Sequence, residues 1–108
     1  MHTHSDSFKI LLPADLNESF SQEYRKTLAP RLGLILEKFP DKSHALIDIK
    51  KIRSEWALNL TIVSFQGTYE SFALNENFLT ALADVEKEIS DQLERWHARR
   101  FEKELRAI

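Results

Sequence analysis

The chain has 108 residues, 43% of them apolar and 30% charged, a balance that suits one buried core and excludes a wholly disordered or membrane-embedded chain. A formal net charge of -2 gives no global positive field, so binding to nucleic acid would have to use a local basic patch. The lack of cysteine removes disulfides and thiolate metal sites, and two glycines are too few for a glycine-rich phosphate loop.

Residues 1–7 are polar and read as a flexible leader, with no cationic stretch followed by an apolar run. No segment approaches the roughly 20 apolar residues of a membrane span, so the expected location is the cytoplasm, with no membrane partner. Residues 8–108 read as one domain. Phe8 to Leu12 form a short strand that Pro13 ends. Asn17 and Glu18 then open a helix whose apolar face runs through Phe20, Tyr24, Leu28, Leu32, Ile35 and Phe39. Pro30 lies inside that pattern with Gly33 one turn later, which predicts a kink or two short helices, because proline lacks the amide donor and crowds the preceding turn.

Turn formers cluster from Phe39 to Ser43, and from His44 to Ile52 the buried set Ala45, Ile47 and Ile49 alternates with Leu46, Asp48 and Lys50. The run from Trp56 to Phe65 repeats the alternation, with Trp56, Leu58, Leu60 and Ile62 on one face. Gln66 and Gly67 turn it back into Thr68 to Leu74, giving an antiparallel hairpin or meander. In this phase Ala45, Ile47, Leu58, Leu60, Ile62 and Tyr69 face the helices. From Asn75 the period becomes helical, with Phe78, Leu82, Val85, Ile89, Leu93 and Trp96 on one stripe, so Trp96 is expected to be largely buried. The reading is an α+β fold of order βαβββα, a four-stranded sheet with two helices on one face.

The polar faces of the last helix are divided, with Asp84, Glu86, Glu88, Asp91 and Glu94 first and Arg95, Arg99, Arg100, Lys103 and Arg106 last. Such an order complements the helix dipole, an explanation that competes with a binding role for the basic end. Val63, Phe65, Phe72 and Leu74 project from the opposite side of the sheet. Two helices cover only one face, so these four form a candidate protein interface, including a homodimer contact, unless a one-residue slip buries them.

Residues Trp56 to Leu93 resemble the ribosome hibernation promoting factor and ribosome-associated inhibitor family. Ala57, Asn59 and Thr61 alternating with Leu58, Leu60 and Ile62, followed by Tyr69, Ser71 and Ala73, are similar to that family's central strands. Asn77 to Ala83 stand where its helix opens with D-M-Y-x-A-I-D, and Glu88 to Leu93 where it continues with K-L-x-x-Q-L, without gaps. Two positions where relatives favour cations carry Glu88 and Asp91. The likeness extends over roughly residues 8 to 97 and is most specific from Tyr69 to Leu93.

The resemblance implies a non-enzymatic factor that occupies the small ribosomal subunit and holds idle ribosomes inactive, a form of translation regulation under stress. Its partner would be the subunit and its RNA, with no cofactor and no small-molecule substrate. The side chains expected to meet phosphates are Arg25, Arg31 and Lys38 on the first helix and Arg95, Arg99 and Arg100 on the second. The alternative is an interaction module of the same fold that dimerises or binds a protein through its open sheet face.

Other constellations are weaker. Of His2, His4, His44 and His97, only the first two are close in sequence, and a metal site needs a third ligand and a supporting shell. Ser64, Ser71 and Ser90 lack a nucleophile-elbow context. Carboxylate pairs such as Glu86 with Glu88, or Glu88 with Asp91, lie on a helix face that is expected to be solvated. Asn59 to Thr61 match a glycosylation sequon inside a strand expected to be buried.

Overall fold

The structure, a computed structural model, describes residues 7–106. Apart from Ser7, the expected leader lies outside them, together with His2 and His4, and so do the side chains of Lys103 and Arg106. The elements are β1 (Phe8–Leu11), α1 (Glu18–Leu36), β2 (His44–Ile52), β3 (Glu55–Ser64), β4 (Gly67–Asn75) and α2 (Phe78–Arg106). The order βαβββα is that expected from the pattern. The sheet is mixed: the strands lie side by side as β1-β2-β3-β4, with β1 parallel to β2 and the other two pairings antiparallel.

Strand alternation sets the core. Ile47, Leu58, Leu60 and Ile62 are fully buried, and Ala45 and Tyr69 nearly so. Against them lie Leu28, Leu32 and Ile35 of α1 and Leu82, Val85 and Ile89 of α2. Helix α1 rests over β1 and β2, and α2 over β3 and β4. Small residues at Ser71 and Ala73 let α2 come close to β4, and the buried Ser71 hydroxyl donates to the Val85 carbonyl at 2.9 Å. That bond satisfies a hydroxyl which would otherwise be costly to bury.

Both helix starts are capped by asparagine. The Asn17 side chain accepts from the Phe20 amide at 3.0 Å, and the Asn77 side chain from the Thr80 amide at 3.0 Å, each satisfying one amide that the helix leaves without a partner. Tyr24 sits against Trp56 and Phe78, with ring centroids 5.3 and 4.7 Å away. Because Tyr24 meets Phe78 near the start of both helices and Arg31 meets Glu86 further along, the helices run side by side in the same direction. Their C-terminal ends are therefore neighbours.

Three sequence-based expectations are corrected. Helix α1 is a single helix from Glu18 to Leu36 with Pro30 inside it, so the alternative of two short helices is overturned. Pro30 and Lys26, whose carbonyl loses its amide partner, are both exposed, so the ring and the freed acceptor face water rather than the core. Phe20 does not join the apolar face and is 57% exposed, because the core begins beneath Tyr24. Trp96 is only half-buried. The stripe of α2 continues in phase, but Leu93 is the last buried position among its described side chains.

Candidate nucleic-acid interface

Cations gather at the shared C-terminal end of the two helices. The chain leaves α1 through Lys38, whose amide bonds the Ile35 carbonyl at 3.0 Å, and Phe39, whose amide bonds the Leu36 carbonyl at 3.0 Å. Phe39 then plugs the core edge-on against Tyr69, 5.1 Å between ring centroids, which holds the exposed Lys38 near α2. Lys38, Gln66, Trp96, His97 and Arg100 line an open groove of about 580 Å³. On the other side of Trp96 a second groove of about 300 Å³ is bordered by Thr68, Tyr69, Gln92, Arg95 and Arg99. Trp96 is the ridge between them, with the Arg100 guanidinium 5.3 Å from its ring centre.

The β3–β4 turn supplies the floor at Gln66. Its two-residue loop is Phe65-Gln66, closed by Ser64, whose hydroxyl accepts from the Gln66 amide and donates to the Gly67 carbonyl. Gly67 takes φ +145°, a conformation open to glycine and strained for other residues. The Gln92 side chain donates to the Glu70 carbonyl at 2.6 Å and ties α2 to β4 beside the second groove.

The expected phosphate contacts separate into three groups. Lys38, Arg95, Arg99 and Arg100 come together around Trp96. Arg31 does not join them: its guanidinium donates Nε to one Glu86 oxygen at 2.9 Å and Nη2 to the other at 2.5 Å, a bidentate clamp between the helices. The bond to Glu86 also raises the Arg31 pKa, so the arginine stays charged and its charge is answered within the protein. Arg25 lies further back on α1, where it donates to the Ile10 carbonyl at 3.4 Å. At 1.5 Å per residue it sits roughly 20 Å along the axis from Lys38.

The anions at Glu88 and Asp91 are also answered locally. Asp91 pairs with Lys87 at 3.0 Å, and Glu88 takes Arg95 at 3.5 Å and the Gln92 amide at 3.1 Å. Both ion pairs are largely exposed and so weak and screened by salt. Arg95 can leave Glu88 for a phosphate at small cost.

Tyr69 borders the second groove with its hydroxyl buried and without a hydrogen-bond partner. Burial raises its pKa and the nearby Arg99 opposes that shift. The open-face residues are placed as expected: Val63, Phe72 and Leu74 are exposed on the sheet, and Phe65, at the tip of the β3–β4 turn, is 83% exposed. Among the described residues no cluster of three or more histidine or acidic side chains could hold a metal, and no helix is long and apolar enough to cross a membrane.

Sequence reasoning missed Gln66, Gln92 and His97 as parts of this surface. Gln66 reaches it only because the hairpin ends beside α2, a proximity without any local signal. No protein-family model matches the chain, and no curated protein matches it.

Proposed function

We propose that the chain is a non-enzymatic RNA-binding factor that occupies the small ribosomal subunit and holds ribosomes inactive, using Lys38, Arg95, Arg99 and Arg100. The observation that carries this reading is the meeting of Lys38, just past the end of α1, with three arginines of α2 around a half-buried tryptophan in open, shallow grooves. Such a surface matches a phosphate backbone, where charge neutralisation supplies most of the affinity and an aromatic face can stack on an unpaired base. Arg31 is excluded from the contact set by its clamp on Glu86, and Arg25 stands apart as a peripheral contact. The resemblance of Tyr69 to Leu93 to hibernation factors supplies the ribosomal partner and a cytoplasmic setting.

Co-sedimentation with small subunits across a salt series tests this. Log affinity should fall linearly with log salt, and replacing Arg95, Arg99 and Arg100 together by alanine should lower the slope by about 2 to 3 if all three meet phosphates. The reversal Glu88→Lys with Asp91→Arg should strengthen binding, since it frees Arg95 and adds cations beside it. Undetectable binding by all three proteins would end the ribosomal reading. The exposed Val63, Phe65, Phe72 and Leu74 favour a second reading, a protein-interaction module, whose binding would lack the steep fall with salt expected of phosphate contacts.

A further inference from the structure

The uncovered face of the sheet has an internal symmetry that its strand registers reveal. Lys9, Leu46, Thr61 and Glu70 stand in one cross-strand row from β1 to β4, because Lys9 pairs with Leu46, Leu46 with Thr61 and Thr61 with Glu70. The next row on the same face is Leu11, Asp48, Asn59 and Phe72. One row has a cation at one edge and an anion at the other. The other has an apolar side chain at each edge and two hydrogen-bonding side chains between them.

We propose that two copies of this chain pair face to face through this surface, about a two-fold axis that runs along the strands between β2 and β3. That axis exchanges β1 with β4 and β2 with β3. Lys9 of each copy then meets Glu70 of the other, Leu11 meets Phe72 and Asp48 meets Asn59, while Leu46 meets Thr61, His44 meets Val63 and Lys50 meets Ala57, so that the edge charges meet opposite charges and the edge apolar groups meet each other. The perpendicular two-fold, along the Leu11 to Phe72 row, would set Glu70 on Leu74 and Leu46 on Lys50, which strands each charge against an apolar group. An isologous contact must be self-complementary, and the first axis brings the edge cation Lys9 onto the edge anion Glu70 and Leu11 onto Phe72.

Two further observations support the pairing. Among the described residues neither the Lys9 ammonium nor the Glu70 carboxylate has an ion-pair partner within the chain, so both remain available to a second copy. Phe72, 62% exposed, and Leu11, 38% exposed, are apolar groups that the contact would cover, together with the exposed Leu46. Three strands of 9 or 10 residues and one of four, about 4.8 Å apart and rising about 3.3 Å per residue, present on the order of 500 Å² per copy. That puts total burial near the roughly 1,000 Å² at the low end of specific interfaces, so the dimer should be weak and depend on concentration. Sheets packed in this way lie about 10 Å apart with interdigitating side chains. The pairing is independent of the RNA reading, because the basic grooves lie at the helix ends and stay exposed in the dimer.

Sedimentation equilibrium from micromolar to several hundred micromolar protein tests the proposal, with circular dichroism confirming that each variant is folded. The wild type should move from monomer to dimer over that range. Lys9→Glu and Glu70→Lys should each weaken the dimer about tenfold or more, near 1.4 kcal/mol, and Phe72→Glu should abolish it. The double variant Lys9→Glu with Glu70→Lys should restore the wild-type affinity, an outcome expected only if these two residues face each other across the two-fold. A wild type that stays monomeric, a dimer indifferent to Phe72→Glu, or a double variant no tighter than the singles would each overturn the proposal.

Discussion

The two faces of the sheet are built from the same strands and differ in what lies over them. On the helix side Ile47, Leu58, Leu60 and Ile62 are fully buried, while one residue further along each strand Leu46, Asp48, Asn59, Thr61 and Val63 are exposed or half-exposed. Period-two alternation thus divides one chain into a face that holds the fold together and a face free for contacts. The covered face is apolar apart from the Ser71 and Tyr69 hydroxyls and tolerates little change. The open face mixes leucine, phenylalanine and valine with charge, a composition that folding alone does not require.

The largest test of this division sets Leu60→Ala against Phe72→Ala. Leu60 is fully buried, so its truncation should cost about 2 to 5 kcal/mol through lost transfer energy and a cavity. Phe72→Ala in dilute protein should change stability by less than about 0.5 kcal/mol. Urea unfolding measures both, and equal losses would break the comparison. A smaller effect is expected at the clamp between the helices. Arg31→Ala leaves the Glu86 carboxylate, only 20% exposed, without its bidentate partner and should cost about 1 to 2 kcal/mol, the charged bond being discounted for the partial exposure of Arg31. In the ribosome assay the same variant should leave the salt slope unchanged, which separates a structural arginine from a binding one.

The smallest effect is expected at Tyr69. Removing its unpartnered buried hydroxyl by Tyr69→Phe should leave stability unchanged or raise it by up to about 1 kcal/mol. The sign of the pH effect follows from the raised pKa. The unfolded chain loses the tyrosine proton before the folded one does, so the stabilising contribution is complete below the ordinary tyrosine pKa and is lost as pH rises through the folded value. Thermal unfolding in alkaline buffers should therefore show a shallower loss in the phenylalanine variant.

Much of the fold was legible because it rests on local periodicities. The β2 and β3 alternation and the stripe from Phe78 to Leu93 each fix an element and the side it buries. The errors arose where the burying partner could not be known. Phe20 fits the α1 stripe, but no strand lies beneath it; Pro30 costs α1 one hydrogen bond without splitting it, on a side where the freed carbonyl can reach water; and Trp96 keeps the phase of α2 beyond its last fully buried neighbour. The candidate site was less legible, because the approach of Lys38 to Arg100 and the withdrawal of Arg31 onto Glu86 both depend on the two helices running side by side in the same direction. Spacing along one helix carries no trace of that pairing.

The parallel pairing of β1 with β2 also orders the folding reaction. The strand pairings of β2 with β3 and of β3 with β4, and the packing of α2 on β4, join segments adjacent in sequence through two-residue loops or a short link, which keeps their loop-closure entropy low and favours their early assembly. Strand β1, of four residues at the edge of the sheet, can dock only after the whole of α1 has crossed back over the sheet. It is therefore expected to be the last strand to dock and the first to open, a difference that amide exchange of β1 against β3 measures. Since Lys9 and Leu11 belong to that strand, the edge of the open face that they provide is present only while β1 is docked.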